Sequence, residues 1–111
     1  LGTPYIFGGE DRRGLDCSGF VSVIFRDVYG IKLPHNASQQ FVRSQRIPIS
    51  QLATGDLVFF DNNYSGRIDH VGIYLDDGYF AHASATFGVV VSNLRENYYR
   101  SRVKSGGRIL R

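Results

Sequence analysis

Apolar residues at Phe20, Val21, Ile24, Phe25 and Val28 keep the i, i+4 rhythm of one buried helical face and predict a helix over residues 16–29. Gly30 supplies a C-terminal stop, and Pro34 lies shortly beyond it. A shorter helix is expected to start near Asn36 and to contain Gln39, Gln40 and Phe41. Past Thr54-Gly55-Asp56, a turn signal, the texture changes. Residues 57–60, 70–75, 79–83 and 89–91 read as strands, with Asp76-Asp77-Gly78 as a hairpin turn between the second and third. A short helix at 96–100 and a last strand at 108–110 complete the pattern. Helices first and antiparallel strands afterwards predict an α+β fold, with N-terminal helices packed on a sheet. No repeat, linker or low-complexity stretch interrupts residues 1–111, so a single domain is expected.

Composition narrows the class. The chain has 111 residues, 42% hydrophobic and 21% charged, which is ordinary for a folded protein and argues against disorder. No apolar run nears the roughly 20 residues of a membrane helix. The chain opens on Leu1-Gly2-Thr3-Pro4 without a signal peptide, and reads as a processed or trimmed domain whose targeting segment lies outside it. The net charge is +3, with Arg95, Arg100, Arg102, Lys104, Arg108 and Arg111 falling late. They read as a solvated basic face, for which attraction to an anionic polymer is the simplest use. No zinc-finger spacing or aromatic RNA-binding signature is present, so nucleic acid is not an expected partner.

The chain has one cysteine, which excludes an intrachain disulfide. Cys17 falls at the predicted N-terminus of the first helix, where unpaired N–H groups and the helix dipole favour a thiolate and can hold an oxyanion. Two histidines sit on neighbouring predicted strands. If residues 76–78 form a three-residue loop with Gly78 left-handed, Leu75 pairs with Tyr79 and Gly72 faces His82. His70 is then the diagonal neighbour of His82 on the same face, about 7–8 Å away at the backbone and within reach of two imidazoles. A two-residue turn puts them on opposite faces. With the three-residue loop, Cys17 reads as a nucleophile, His70 as its base and His82 as the group that orients His70. Cys17, His35, His70 and His82 are also potential zinc ligands, but their spacing matches no chelating motif, and no metal is expected. Asp61, Asp69, Asp76 and Asp77 form no calcium-loop pattern and read as turn and surface residues.

The strings Gly2-Thr3-Pro4-Tyr5-Ile6-Phe7-Gly8-Gly9 and Gly14-Leu15-Asp16-Cys17-Ser18-Gly19-Phe20-Val21 strongly resemble the NlpC-type family of bacterial cell-wall cysteine peptidases. Further matches follow in order: Leu33-Pro34, Gln39-Gln40, residues 54–60, His70-Val71-Gly72-Ile73-Tyr74 and Phe80-Ala81-His82-Ala83-Ser84. The resemblance covers essentially the whole chain. It implies a papain-like fold and hydrolysis of the bond between γ-D-glutamate and a diamino acid in peptidoglycan stem peptides, through a Cys17 thioester and without a cofactor. It also implies that Cys17 is the nucleophile, His70 the base and His82 the third polar residue. Tyr5 matches a tyrosine lining the active site, and Asp16 and Ser18 match positions that grip the substrate's amino end, although both also suit helix capping. His35 departs from the arginine that relatives often carry after Leu33-Pro34. The tail is similar to that of single-domain lipoprotein members, which implies a monomer in a Gram-negative envelope, attached to a membrane by a lipid anchor preceding Leu1, or else secreted to the wall. Two other readings stand beside this one: a thiol-dependent amidase or acyltransferase on another substrate, and a silent wall-binding module, against which the filled triad positions count.

Overall fold

In the computed structural model, which describes residues 10–11, 14–84 and 88–109, the first helix starts one residue later than its apolar rhythm suggests. Asp16 is its N-cap: the carboxylate accepts from the Gly19 amide at 2.6 Å, and α1 runs Cys17–Ile24. Phe25–Tyr29 continues as a wider π-type turn, closed by Gly30 in the left-handed region at φ 68°. That turn carries Val28 off the buried stripe, so it is 64% exposed while Phe20, Val21 and Phe25 are buried. Ahead of α1, β1 (Glu10–Asp11) and β2 (Gly14–Leu15) form a small antiparallel ribbon. After it comes α2 (Ala37–Arg43), whose N-cap Asn36 accepts from the Gln39 amide at 3.1 Å.

The remaining strands are β3 (Gln45–Ile47), β4 (Leu57–Phe60), β5 (His70–Tyr74), β6 (Tyr79–Ser84), β7 (Gly88–Asn93) and β8 (Val103–Arg108), with α3 (Asn97–Arg100) before the last. They form one antiparallel sheet in the order β3-β8-β4-β5-β6-β7. The α+β arrangement is the expected one, but β1, β2 and β3 were not predicted, and the last strand lies at 103–108 rather than 108–110. Gly106 and Gly107 look like strand breakers in sequence, yet here they admit close neighbours: a Cβ on Gly106 would sit 2.8 Å from the Ile47 carbonyl oxygen.

Both faces of the sheet are covered. In β4, Leu57 and Phe59 join Cys17, Phe20, Val21, Val71 and Ile73 in a core under α1, while Val58 and Phe60 join Phe80 and Leu94 on the other face. All four β4 residues are buried, so this strand lacks the alternation of a half-exposed one. The β5–β6 turn settles the register on which the histidine pair depends. The Leu75 amide donates to the Tyr79 carbonyl at 2.8 Å, Gly78 has φ 83°, and Ile73 pairs with Ala81. This is the three-residue loop, and it places Gly72 beside His82, whose Cβ would lie 3.2 Å from a Cβ added at Gly72.

Candidate active site

Cys17 occupies the first turn of α1 and is only 7% exposed. Its thiol donates to the Asp69 carbonyl at 4.0 Å, so the sulfur rests against the backbone next to His70. No hydrogen bond joins the thiol to the His70 ring among the described residues. Such contacts tighten when substrate arrives. Ser18 is buried too, its hydroxyl donating to the His35 carbonyl at 3.1 Å. Behind it, the fully buried Gln40 donates from Nε2 to the carbonyls of Ser18 (3.1 Å) and Pro34 (2.8 Å). Gln40 thus ties α2 to the start of α1 and fixes the backbone that carries Cys17.

The two histidines meet as the register requires: His70 Nε2 and His82 Nδ1 are 2.9 Å apart, with ring planes 88° to one another. The chain of contacts continues from His82 Nε2 to the Ser92 hydroxyl at 2.9 Å, and the Tyr99 ring packs against His82 with centroids 5.4 Å apart. Ser92 and Tyr99 were not singled out in sequence. The β6–β7 register brings Ser92 there, since His82 pairs with Val90 and Ser92 is its diagonal neighbour. His70 Nδ1 has no hydrogen bond among the described residues.

Burial dominates the electrostatics. It pushes the Cys17 thiol up to about 11, more than the Val71, Ser18 and Cys17 amides pull it down, and the Asp16 carboxylate adds to the rise. Burial likewise lowers His70 to about 4, and lowers His82 to about 3 with His70 adding a repulsive share. Burial thus works against the thiolate that the helix N-terminus favours, and against an imidazolium on His70.

A cavity of about 830 Å³ opens over Cys17, walled by Asp16, Ser18, His35, Arg67 and Asp69 among others. His70 and His82 are not among its described lining residues. His35 is exposed at its edge, as befits a loop residue that can also touch a ligand. Tyr5 lies outside the described residues. One wall is the loop between β4 and β5, held by two carboxylates read in sequence as surface residues. Asp61 is buried and accepts from the amides of Ser65 (2.9 Å) and Gly66 (2.7 Å), the first of which lowers its pKa most. Asp69 accepts from the amides of Asn62 (2.8 Å) and Asn63 (3.2 Å). Some late basic residues are likewise engaged: Arg108 makes a two-pronged ion pair with Asp56 at 2.8 and 2.7 Å, and Arg102 stacks 3.9 Å from the Tyr98 ring centre. A second cavity of about 230 Å³, beside Asp56 and Arg108, contains none of the predicted site residues. Among the described residues no three metal-ligating side chains come together, and the fold does not gather Cys17, His35, His70 and His82 around one point.

The family model for NlpC/P60 proteins matches residues 2–108, a stretch that includes Cys17 and both histidines. The chain belongs to the NlpC/P60 family. Among its relatives, the murein DD-endopeptidase MepS/murein LD-carboxypeptidase of Escherichia coli K12 is 40% identical over 109 residues, which cover 98% of this chain and 57% of that protein. The γ-DL-glutamyl hydrolase of Bacillus subtilis is 39% identical over 104 residues, 93% of this chain and 25% of the hydrolase. The chain therefore spans little more than half of the first relative and a quarter of the second. In three dimensions, the crystal structure of an NlpC/P60 family protein from Bacillus cereus matches all of this chain with a TM-score of 0.91 at 32% identity, over 37% of that protein. The α+β domain is accordingly of the papain-like NlpC/P60 type.

Proposed function

We propose that this chain is a peptidoglycan endopeptidase domain acting in the bacterial cell envelope, with Cys17 as nucleophile, His70 as general base and acid, and His82 as the group that orients His70. The observation carrying this reading is the 2.9 Å His70–His82 contact directly behind the backbone on which the Cys17 thiol rests. Because burial disfavours both the thiolate and the imidazolium, His70 takes the proton as the sulfur attacks. The proton passes from the thiol to His70 Nδ1, the ring nitrogen that His82 does not engage. The sulfur adds to the amide carbonyl, and the Cys17 amide at the helix N-terminus steadies the oxyanion. His70 then returns the proton to the leaving amine, which leaves a thioester on Cys17. Water, activated by the same ring, hydrolyses the thioester and restores the thiol.

The bond we assign is γ-D-glutamyl–diamino acid. The buried Asp16 carboxylate and Ser18 hydroxyl at the cavity wall support binding of the free amino end of a stem peptide, alongside their capping roles. Tyr5 is proposed as a further substrate contact on the family match. A relative named for a γ-glutamyl bond favours this assignment; the one named a DD-endopeptidase favours the cross-bridge instead. Digestion of defined stem and cross-linked peptides, read by mass spectrometry, separates them. A product ending in D-glutamate is expected. Cleavage confined to the cross-bridge would reassign the bond while keeping the enzyme class, and loss of acyl groups from non-wall esters only would support the acyltransferase reading.

A further inference from the structure

One wall of the cavity over Cys17 carries a charge that the proposed reaction leaves unused. We propose that Arg67 is a specificity-determining residue that binds the free α-carboxylate of the glutamyl residue being cut, an inference that rests on the γ-D-glutamyl bond assigned above.

Arg67 lines the cavity from the β4–β5 loop and is exposed. Its backbone is held in place there. Gly66 takes the left-handed region at φ 82° and donates its amide to Asp61 Oδ2 at 2.7 Å. The Arg67 amide in turn donates to the Ser65 hydroxyl at 3.3 Å. Two carboxylates on the same loop are the natural partners for the guanidinium, but other donors have taken them. Asp61 Oδ1 accepts from the Ser65 amide at 2.9 Å and the Ser65 hydroxyl at 3.2 Å. Asp69 accepts from the Asn62 amide through Oδ1, and from the Asn63 amide and side-chain Nδ2 through Oδ2. Among the described residues the Arg67 guanidinium makes no hydrogen bond and no ion pair. Arg67 is also the sole arginine or lysine among the described lining residues, and the Asp16 carboxylate lines the same cavity from the start of α1.

That charge pattern matches one feature of the assigned substrate. A glutamate joined through its γ-carbonyl keeps its α-carboxylate, a few carbons from the carbonyl that Cys17 attacks. A stem peptide with a free amino end therefore carries a cation and an anion close together, the complement of Asp16 and Arg67. The guanidinium fork fits a carboxylate with two parallel hydrogen bonds. An α-linked glutamyl peptide has an amide where the γ-linked one has this carboxylate, so Arg67 also separates the two linkages.

The test uses two stem peptides, alike except that one has the glutamate α-carboxylate converted to its amide. Wild-type kcat/KM should favour the acid roughly five- to tenfold, between the scale of an exposed ion pair and that of a charge-assisted hydrogen bond, and chiefly through KM. The preference should shrink at high salt. Arg67→Gln should cleave both peptides at the wild-type rate for the amide, and Arg67→Lys should keep part of the preference. Equal wild-type rates on the two peptides would overturn the proposal while leaving the bond assignment standing, as would an equal loss on both in Arg67→Gln. A wild type that cleaves neither peptide would remove the bond assignment, and calorimetry on Cys17→Ala then decides on Arg67. The acid should bind more tightly, and adding Arg67→Gln should abolish the difference; equal affinities, or no binding, would overturn the proposal.

Discussion

At the scale of single residues, Cys17 shows two opposed effects and which of them wins. The helix N-terminus favours a thiolate, and three amides do lower the pKa, yet burial carries the thiol up to about 11. Alkylation by a neutral reagent such as iodoacetamide should therefore be slow at pH 7 and climb steadily towards pH 11. A fast rate that holds level down to pH 5 would instead reveal a standing thiolate–imidazolium pair. Sequence located Cys17, His70 and His82 because each carries a visible signal: a helix start, and alternation along two strands joined by a readable turn. It could not weigh burial, which depends on Val71, Ala83 and Val89 closing over the same core from strands distant in the chain. Ser92 escaped for a related reason. Its contact with His82 depends on a β6–β7 register that no turn signal announced, and Tyr99 reaches the site from a helix of four residues.

Among elements, α1 depends on its cap. Asp16 is 3% exposed and accepts a 2.6 Å hydrogen bond from Gly19, so Asp16→Ala should cost about 1–2 kcal/mol, seen as a fall of several degrees in the thermal midpoint. Asp16→Asn keeps an acceptor and should recover most of that loss. If the carboxylate also grips the substrate's amino end, Asp16→Asn will still raise KM, and an unchanged KM would confine Asp16 to capping. The apolar rhythm made α1, α2 and the β5–β6 hairpin legible, caps included, to within a residue or two. The C-terminal strand was displaced because Gly106 and Gly107 signal a turn in isolation. The neighbours explain why strand backbone without side chains is needed there: Leu52 and Ile47 crowd Gly106, and Ser44 and Phe59 crowd Gly107.

Across the whole molecule, the buried histidines link stability to pH. Both are held neutral in the fold, His70 down to about 4 and His82 to about 3, while the unfolded chain protonates near the ordinary value of about 6.5. The unfolded state therefore binds more protons below that value. Stability should be full above pH 6.5 and fall as the pH drops towards 4. Thermal melts across pH 4–8 should show this slope, and His82→Gln should flatten it; a midpoint independent of pH in that window would show that the pair is not buried neutral. The helix-then-strand order made the fold class legible, and the motif order pointed to the family, whereas the loop held by Asp61 and Asp69 was not legible because hydrogen bonds to amides leave no mark in sequence. The most direct test of the central claim is digestion of purified stem peptides by the wild type and by Cys17→Ala, side by side. The account predicts cleavage by the wild type and a rate lower on the order of 100,000-fold in a normally folded Cys17→Ala protein. Cleavage at a comparable rate by Cys17→Ala would contradict it.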